Sequence, residues 1–308
     1  MFRLLSFLVI SICLVTGCSD QKNSDPDVVL LLVEKWPREW TADGVKALER
    51  HAALKQLMEN SVAFTNAFTA SPEVHLAEQA LQSGMHTGHL LSGNFNNNNF
   101  ANFKNSLLSK DYKILEYSDH TAWSGANKTV SAMHIIKLSS NNLSQLNDAV
   151  ATLLTDVSQN TLVVLTALSG TGTAYSESSL RVPLIFYTGD DKVKKGISQQ
   201  AIYTADLLPT IADFLNAPYD GNTLDGKSFY KNIKRPTTPL EDRILYWKSS
   251  DKEGPEILRY NQWKMRRVNP QTEWQLFDMI TDPEETDNVS AYHPGKFEKF
   301  QEWVEKNK

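Results

Sequence analysis

Residues 28–33 read Val-Val-Leu-Leu-Leu-Val, an unbroken apolar run between Pro26 and the polar pair Glu34-Lys35. Such a run cannot alternate between core and solvent, so a strand formed here must be covered on both faces, as inside a parallel sheet flanked by helices. Runs of the same kind recur at Lys113–Tyr117, His134–Leu138, Thr161–Thr166 and Pro183–Tyr187. Between them the apolar residues follow a helical period: Leu48, Ala52, Leu54 and Leu57 in one segment, Leu143, Leu146, Val150, Leu153, Leu154 and Val157 in another. Thr204–Leu215 predicts a further helix, with Pro209 expected to kink it. Strands alternating with helices predict an α/β fold with a mostly parallel central sheet and helices on both faces.

The asparagine-rich segment Gly93–Phe103 predicts an exposed loop, with carbohydrate contact by its asparagines and phenylalanines as the rival reading. From Arg243 the pattern changes to short aromatic runs: Ile244–Trp247, Glu256–Arg259, Trp263–Val268 and Trp274–Phe277. These predict a small antiparallel sheet, followed by a closing amphipathic helix over Lys296–Lys306. The boundaries expected are an α/β domain over 28–242 and an antiparallel subdomain over 243–308.

Met1-Phe2-Arg3, the apolar stretch Leu4–Val15 and then Gly17-Cys18 predict a signal peptide over 1–17, too short for a membrane span. The small residues before Cys18 resemble the lipobox of bacterial lipoproteins. That resemblance implies lipidation of Cys18, a tether over 18–27, and a place in the cell envelope, with Ser19 favouring the outer membrane. Cys13 and Cys18 are the only cysteines, so disulfide staples, zinc fingers and a cysteine nucleophile are excluded from the body of the chain. A net charge of -5 excludes a generally cationic nucleic-acid binder.

Several segments from about Asp27 onward, taken in order, resemble the sulfatases of the alkaline-phosphatase-like superfamily. They are Val28–Val33, then Val62–Phe68 with Ser71-Pro72, then Asn160–Thr166 and Leu180–Leu184. Thr204–Thr210, Leu224-Asp225-Gly226, and the tail from Trp263-Lys264 through Asp282-Pro283 to Glu285–Asn288 complete the set. The resemblance implies a sulfatase-like sandwich and, in an active member, a calcium ion, an oxidised cysteine or serine as nucleophile, and cations around the sulfate. Position by position, the chain departs from that equipment. The paired acidic ligands after the first strand fall on Glu34 and Lys35. The signature loop places Val74 at the nucleophile and Glu78 at its arginine. The second ligand pair falls on Leu168 and Ser169, and an active-site lysine falls near Gly172. None of the 12 prolines has an arginine two positions later, so the signature has not moved elsewhere.

The expectation is therefore a sulfatase-like envelope lipoprotein without sulfuric ester hydrolase activity and without the family's calcium, with no other cofactor or metal expected. It would bind a sulfated polysaccharide, another anionic glycan or an envelope protein, with His75, His86, Lys264 and Arg266 as candidate contacts and no nucleic-acid partner. The alternative is a hydrolase of sulfate or phosphate esters built on Glu34, His75, Glu78 and His86, in which two histidines and a carboxylate hold a transition metal. A compensating ion pair of Lys35 with Glu34 or Glu78, and a solvated face carrying Lys264 and Arg266, are the plainer readings of those charges.

Overall fold

Every residue of β1 (Val28–Val33) is buried, and the strand period divides its side chains between two cores. Val28, Leu30 and Leu32 enter one, Val29, Leu31 and Val33 the other. The chain, a computed structural model, is described over residues 26–37, 50–93, 98–109, 111–125, 130–139, 142–173, 175–190 and 192–307. The signal segment, most of the tether and residues 38–49, including Leu48, lie outside these.

β1 sits between β4 (Ala132–Leu138) and β5 (Leu162–Ala167), parallel to both. β3 (Lys113–Tyr117) closes one side in parallel with β4. On the other side β6 (Arg181–Tyr187) runs antiparallel to β5 and to β2 (Val62–Phe68). The short β7 (Gly196–Ser198) and β8 (Ile202–Tyr203) pair in parallel with β2. The sheet is thus mostly parallel with β6 reversed, which puts the C-terminal ends of β1, β2 and β5 on one edge beside the start of β6.

Helices cover both faces. On one side lie α1 (Ala52–Glu59), α5 (His120–Ser124) and α6 (Leu143–Asp156), through Leu54, Leu57, Trp123, Leu146, Val150 and Leu153. On the other lie α2 (Val74–Ser83), α4 (Asn98–Leu108), α8 (Leu207–Phe214) and α9 (Tyr230–Lys234). The short α3 (Thr87–Ser92) and α7 (Glu177–Leu180) stand at the strand-end edge. Among the described residues no helix is long and apolar enough to cross a membrane.

A second, antiparallel sheet has the order β12 (Gln275–Asp278), β11 (Trp263–Arg267), β10 (Glu256–Tyr260), β9 (Leu245–Lys248). One of its faces packs against α10 (Pro294–Lys306) through Leu258, Met265, Leu276, Phe300 and Val304. Its other face packs on the strand-end edge of the large sheet, where Leu245, Trp247 and Ile257 meet Phe68, Ala70, Leu180 and Tyr203.

Four expectations change. Gly93–Phe103 is not one exposed loop: α4 begins at Asn98, and Phe103 and Leu107, one helical turn apart, are both 1% exposed. Residues 94–97 lie outside the described set. β3 is a partly exposed edge strand and not one covered on both faces. Pro209 stands in the first turn of α8 after a 3₁₀ turn at Thr204–Asp206 and not inside the helix as expected, a position at which a proline is tolerated. Lys264 is neither solvated nor ligand-facing: its side chain is 1% exposed and pairs with Glu285 at 2.6 Å and Glu177 at 3.8 Å. The strand alternation was right, but both faces of this small sheet are covered, by α10 on one side and by the α/β body on the other.

Breaking that buried pair by Glu285→Ala should leave Lys264 without compensation and lower stability by about 3–5 kcal/mol. Replacing the pair together, by Lys264→Met with Glu285→Leu, should recover most of the loss. Urea unfolding of the single and double variants measures both.

Candidate functional site

The strand-end edge is built by backbone hydrogen bonds between segments distant in sequence. Leu168 N–H donates to Val33 O at 2.8 Å, Trp36 N–H to Ser169 O at 2.8 Å, and Thr69 N–H to Leu180 O at 2.8 Å. Thr69 Oγ1 donates to Leu168 O at 2.6 Å, which ties the end of β2 to the end of β5. Glu34, Lys35, Leu168 and Ser169 are thereby gathered at one edge, with Val74 in the first turn of α2 after β2. Glu34 and Lys35 are exposed, Val74 is half-buried, and Leu168 and Ser169 are buried.

A polar cluster made from both sheets lies beside Val74. The Glu73 carboxylate accepts from Tyr175 Oη at 2.6 Å, from Ser250 N–H at 3.0 Å, from Ser249 Oγ at 3.4 Å and from Ser250 Oγ. Burial pushes the Glu73 carboxyl up, but the hydrogen bonds from Ser250 and Tyr175 outweigh it and hold the group below its ordinary value. Burial and the neighbouring Glu73 push the Tyr175 phenol well up, so it remains a donor. Tyr175 reaches this position with φ 66°, an uncommon conformation for a non-glycine residue. Gly172 is closed in by the same loop: a Cβ there would lie 2.0 Å from Ser178 Oγ and 2.2 Å from Ser176 Oγ, so a lysine would displace both serines.

The remaining sequence candidates separate. Glu78 pairs with Lys137 on β4, which also holds Glu116 at 3.1 Å, so the expected partner Lys35 is replaced by Lys137. His75 is exposed on the first turn of α2. His86 is buried at the start of α3, where its Nδ1 accepts from His89 N–H at 3.3 Å. Burial above all drives its imidazole down to about 4, with Asp225 opposing and His89 adding to the shift. Asp225 accepts His86 N–H at 2.9 Å and takes His89 Nδ1 at 2.8 Å. The carboxylate gathered with the histidines is therefore Asp225, not Glu34 or Glu78; its 139-residue separation from His86 gave no local pattern to read. Arg266 is one-third exposed and binds Glu285 at 2.9 Å. With Arg181, Thr65, Ser176 and Trp36 it borders a groove of about 780 Å³.

Over 163 residues the chain is 26% identical to arylsulfatase K of Canis lupus familiaris, a match spanning 45% of this chain and 29% of that protein. It therefore covers less than a third of the length of that curated relative. No family model matches. Among solved structures, Ps i-CgsB in complex with k-i-k-neocarrahexaose superposes with a TM-score of 0.73 at 16% identity, covering 92% of this chain and 94% of that one. A protein solved with its substrate D-glucosamine-2-N,6-O-disulfate superposes with a TM-score of 0.75 at 11% identity, covering 92% and 97%. The fold is that of the sulfatases. The likeness of fold covers 92% of the chain.

Calcium prefers six to eight oxygen ligands. At the edge where the sulfatase resemblance puts that ion, Glu34 is the one carboxylate among the four ligand positions. Lys35 is a cation, Leu168 has no side-chain donor and spends its carbonyl on Thr69, and Ser169 Oγ turns to Gly170 O at 3.4 Å. This donor set does not fit calcium.

Because Glu73 titrates below its unfolded value of 4.5, the stability it contributes is complete above that value and is lost as pH falls through the lower folded one. Tyr175→Phe removes one of the donors responsible. It should cost about 1–2 kcal/mol at neutral pH and narrow the stability difference between pH 7 and pH 3, both read from denaturant titrations.

Proposed function

We propose that the protein is a sulfatase-fold binding protein that does not hydrolyse sulfuric esters and that holds a sulfated or otherwise anionic glycan. The first half is carried by Val74, which the family resemblance sets at the nucleophile position. Its side chain has no heteroatom to attack sulfur or to be oxidised, and the charged neighbours that would support such a nucleophile are replaced by the Glu78–Lys137 pair and the closed loop at Gly172. The glycan half is supported by the structural relatives solved with a neocarrahexaose and with a disulfated glucosamine. It is supported too by the groove that Arg181 and Arg266 border beside Glu177, Glu284 and Glu285: each guanidinium spends part of its donor fork on a glutamate, Arg181 on Glu177 and Arg266 on Glu285, and the remaining N–H groups suit sulfate oxygens.

The alternative hydrolase finds less support. Its four residues do not share one cluster: Glu78 is occupied by Lys137, and His86 by His89 and Asp225. With aryl sulfate and aryl phosphate the purified protein should show no turnover above the uncatalysed background. Turnover abolished by Glu34→Gln or His75→Ala would establish the hydrolase instead. A sulfated polysaccharide should raise the melting temperature through binding to the native state, and Arg266→Gln should remove that rise.

The proposal includes the envelope. A diacylated or triacylated Cys18 supplies the two or more chains that stable anchoring needs, placing the globule at a membrane, the outer membrane being favoured by Ser19. Radiolabelled palmitate should enter the wild-type protein expressed in a bacterium and fail to enter Cys18→Ser, which should then appear in the soluble envelope fraction.

A further inference from the structure

His86, His89 and Asp225 form a second cluster, distinct from the Glu73 cluster, at the junction of α3, the Leu224–Gly226 turn and the C-terminal unit. We propose that these three side chains bind a divalent transition-metal ion of the zinc type and staple α3 to that turn. Two imidazole nitrogens with one carboxylate suit zinc, cobalt or nickel, whereas calcium favours an all-oxygen shell. One donor atom from each residue lies within 4.8 Å of the other two. His89 Nδ1 stands 2.8 and 2.9 Å from the two Asp225 oxygens, and His86 Nε2 stands 3.7 Å from Oδ2. Around a tetrahedral ion with bonds of about 2.0–2.1 Å, neighbouring donors sit about 3.3 Å apart. The observed separations bracket that value.

Two adjustments are required: His89 Nδ1, which donates to the Asp225 carboxylate, passes its proton to Nε2 so that its lone pair faces the ion, and the His86 ring turns. The two imidazoles are stacked at 4.2 Å and 21°, and His86 Nδ1 accepts the His89 N–H at a long 3.3 Å. Loading an ion turns the His86 ring so that the Nε2 lone pair meets it. The ring proton then resides on Nδ1, and the long hydrogen bond is given up. The surroundings suit a fixed ligand. Tyr246 stands edge-on to His86 at 5.4 Å and Trp303 of α10 lies at 6.2 Å, an aromatic wall on the inner side. Gly88 is demanded by this packing, because a Cβ there would lie 2.4 Å from Tyr246 Cε1. His89 is 42% exposed, which opens the outer coordination positions to water.

The test is calorimetric titration of tag-free, chelator-stripped protein with Zn²⁺, beside His89→Ala, Asp225→Asn and the control His75→Ala. His89→Ala changes a half-exposed side chain, and Asp225→Asn keeps an oxygen for the His86 N–H, so both should fold. Wild type and His75→Ala should bind one zinc with equal affinity and gain melting temperature, while both cluster variants bind it about tenfold or more weakly. Calcium should give no signal. Absence of zinc binding to the wild type, unchanged affinity in His89→Ala, or loss of binding in His75→Ala would overturn the proposal. Hydrolase assays are unaffected by either result, so this site and the non-hydrolytic reading stand or fall separately.

Discussion

Glu177 occupies the first turn of α7, where the chain turns into β6, and its carboxylate takes Arg181 at 2.9 Å, Arg259 at 2.6 Å and Lys264 at 3.8 Å. Arg181 comes from the large sheet, while Arg259 and Lys264 come from β10 and β11 of the small one. Burial raises the Glu177 carboxyl, yet these cations outweigh it and keep the group ionised. Burial pushes Lys264 and Arg259 the other way, lowering both despite the carboxylates beside them. Each charge is tolerable only with the others in place, since an unpaired buried ion costs several kcal/mol. The two sheets therefore dock in one relative position, or leave this knot unsatisfied.

That docking determines what the strand-end edge can be. Trp247 Nε1 donates to Thr69 O at 2.7 Å, and Tyr203 Oη donates to Tyr246 O at 2.7 Å, so β9 is held directly against the loop after β2. The chain following β9 then brings Ser249 and Ser250 to Glu73. Arg243, bound to Asp206 through Nη1 at 2.8 Å, fixes the segment that enters β9. The polar groups beside Val74 are thus spent on one another across the interface, in place of an arrangement aimed at a bound ion or ester. A carboxylate already holding several hydrogen bonds has little capacity left for a further ligand.

The sequence spoke most clearly where burial is one-dimensional. β1, β4 and β5 are central strands, so apolar runs alone located them, and α6 carries an uninterrupted helical stripe. β2 was legible only through the family resemblance, because its register shifts between Phe64 and Ala67 and its middle is exposed, which breaks any simple run. α4 was hidden by asparagines that dominate composition while Phe103 and Leu107 do the packing. Lys264 was misread because a period of two says which residues share a face but not whether that face meets water or another sheet. Glu34, Lys35, Leu168 and Ser169 could be grouped from the sequence because they follow two strands that proved to be neighbours in the sheet. The partner of Glu78, Lys137, and that of Glu73, a residue the sequence did not single out, Tyr175, lie 59 and 102 residues away and leave no local trace.

These partners limit which side chains the edge can accept. An arginine at position 78 would meet Lys137 and lose the ion pair that Glu78 makes, placing two cations where one pair now stands. A lysine restored near 172 would collide with Ser176 and Ser178. A serine restored at 74 would stand beside Glu73, whose negative charge opposes both a nucleophile's deprotonation and the approach of a sulfate. Positions 78 and 172 are therefore each held by local contacts that a single substitution would break. Catalytic groups that act as a unit gain little from one member restored in isolation. The edge is thus consistent as it stands, with the Glu73 and Glu78 carboxylates each satisfied by neighbours from other elements.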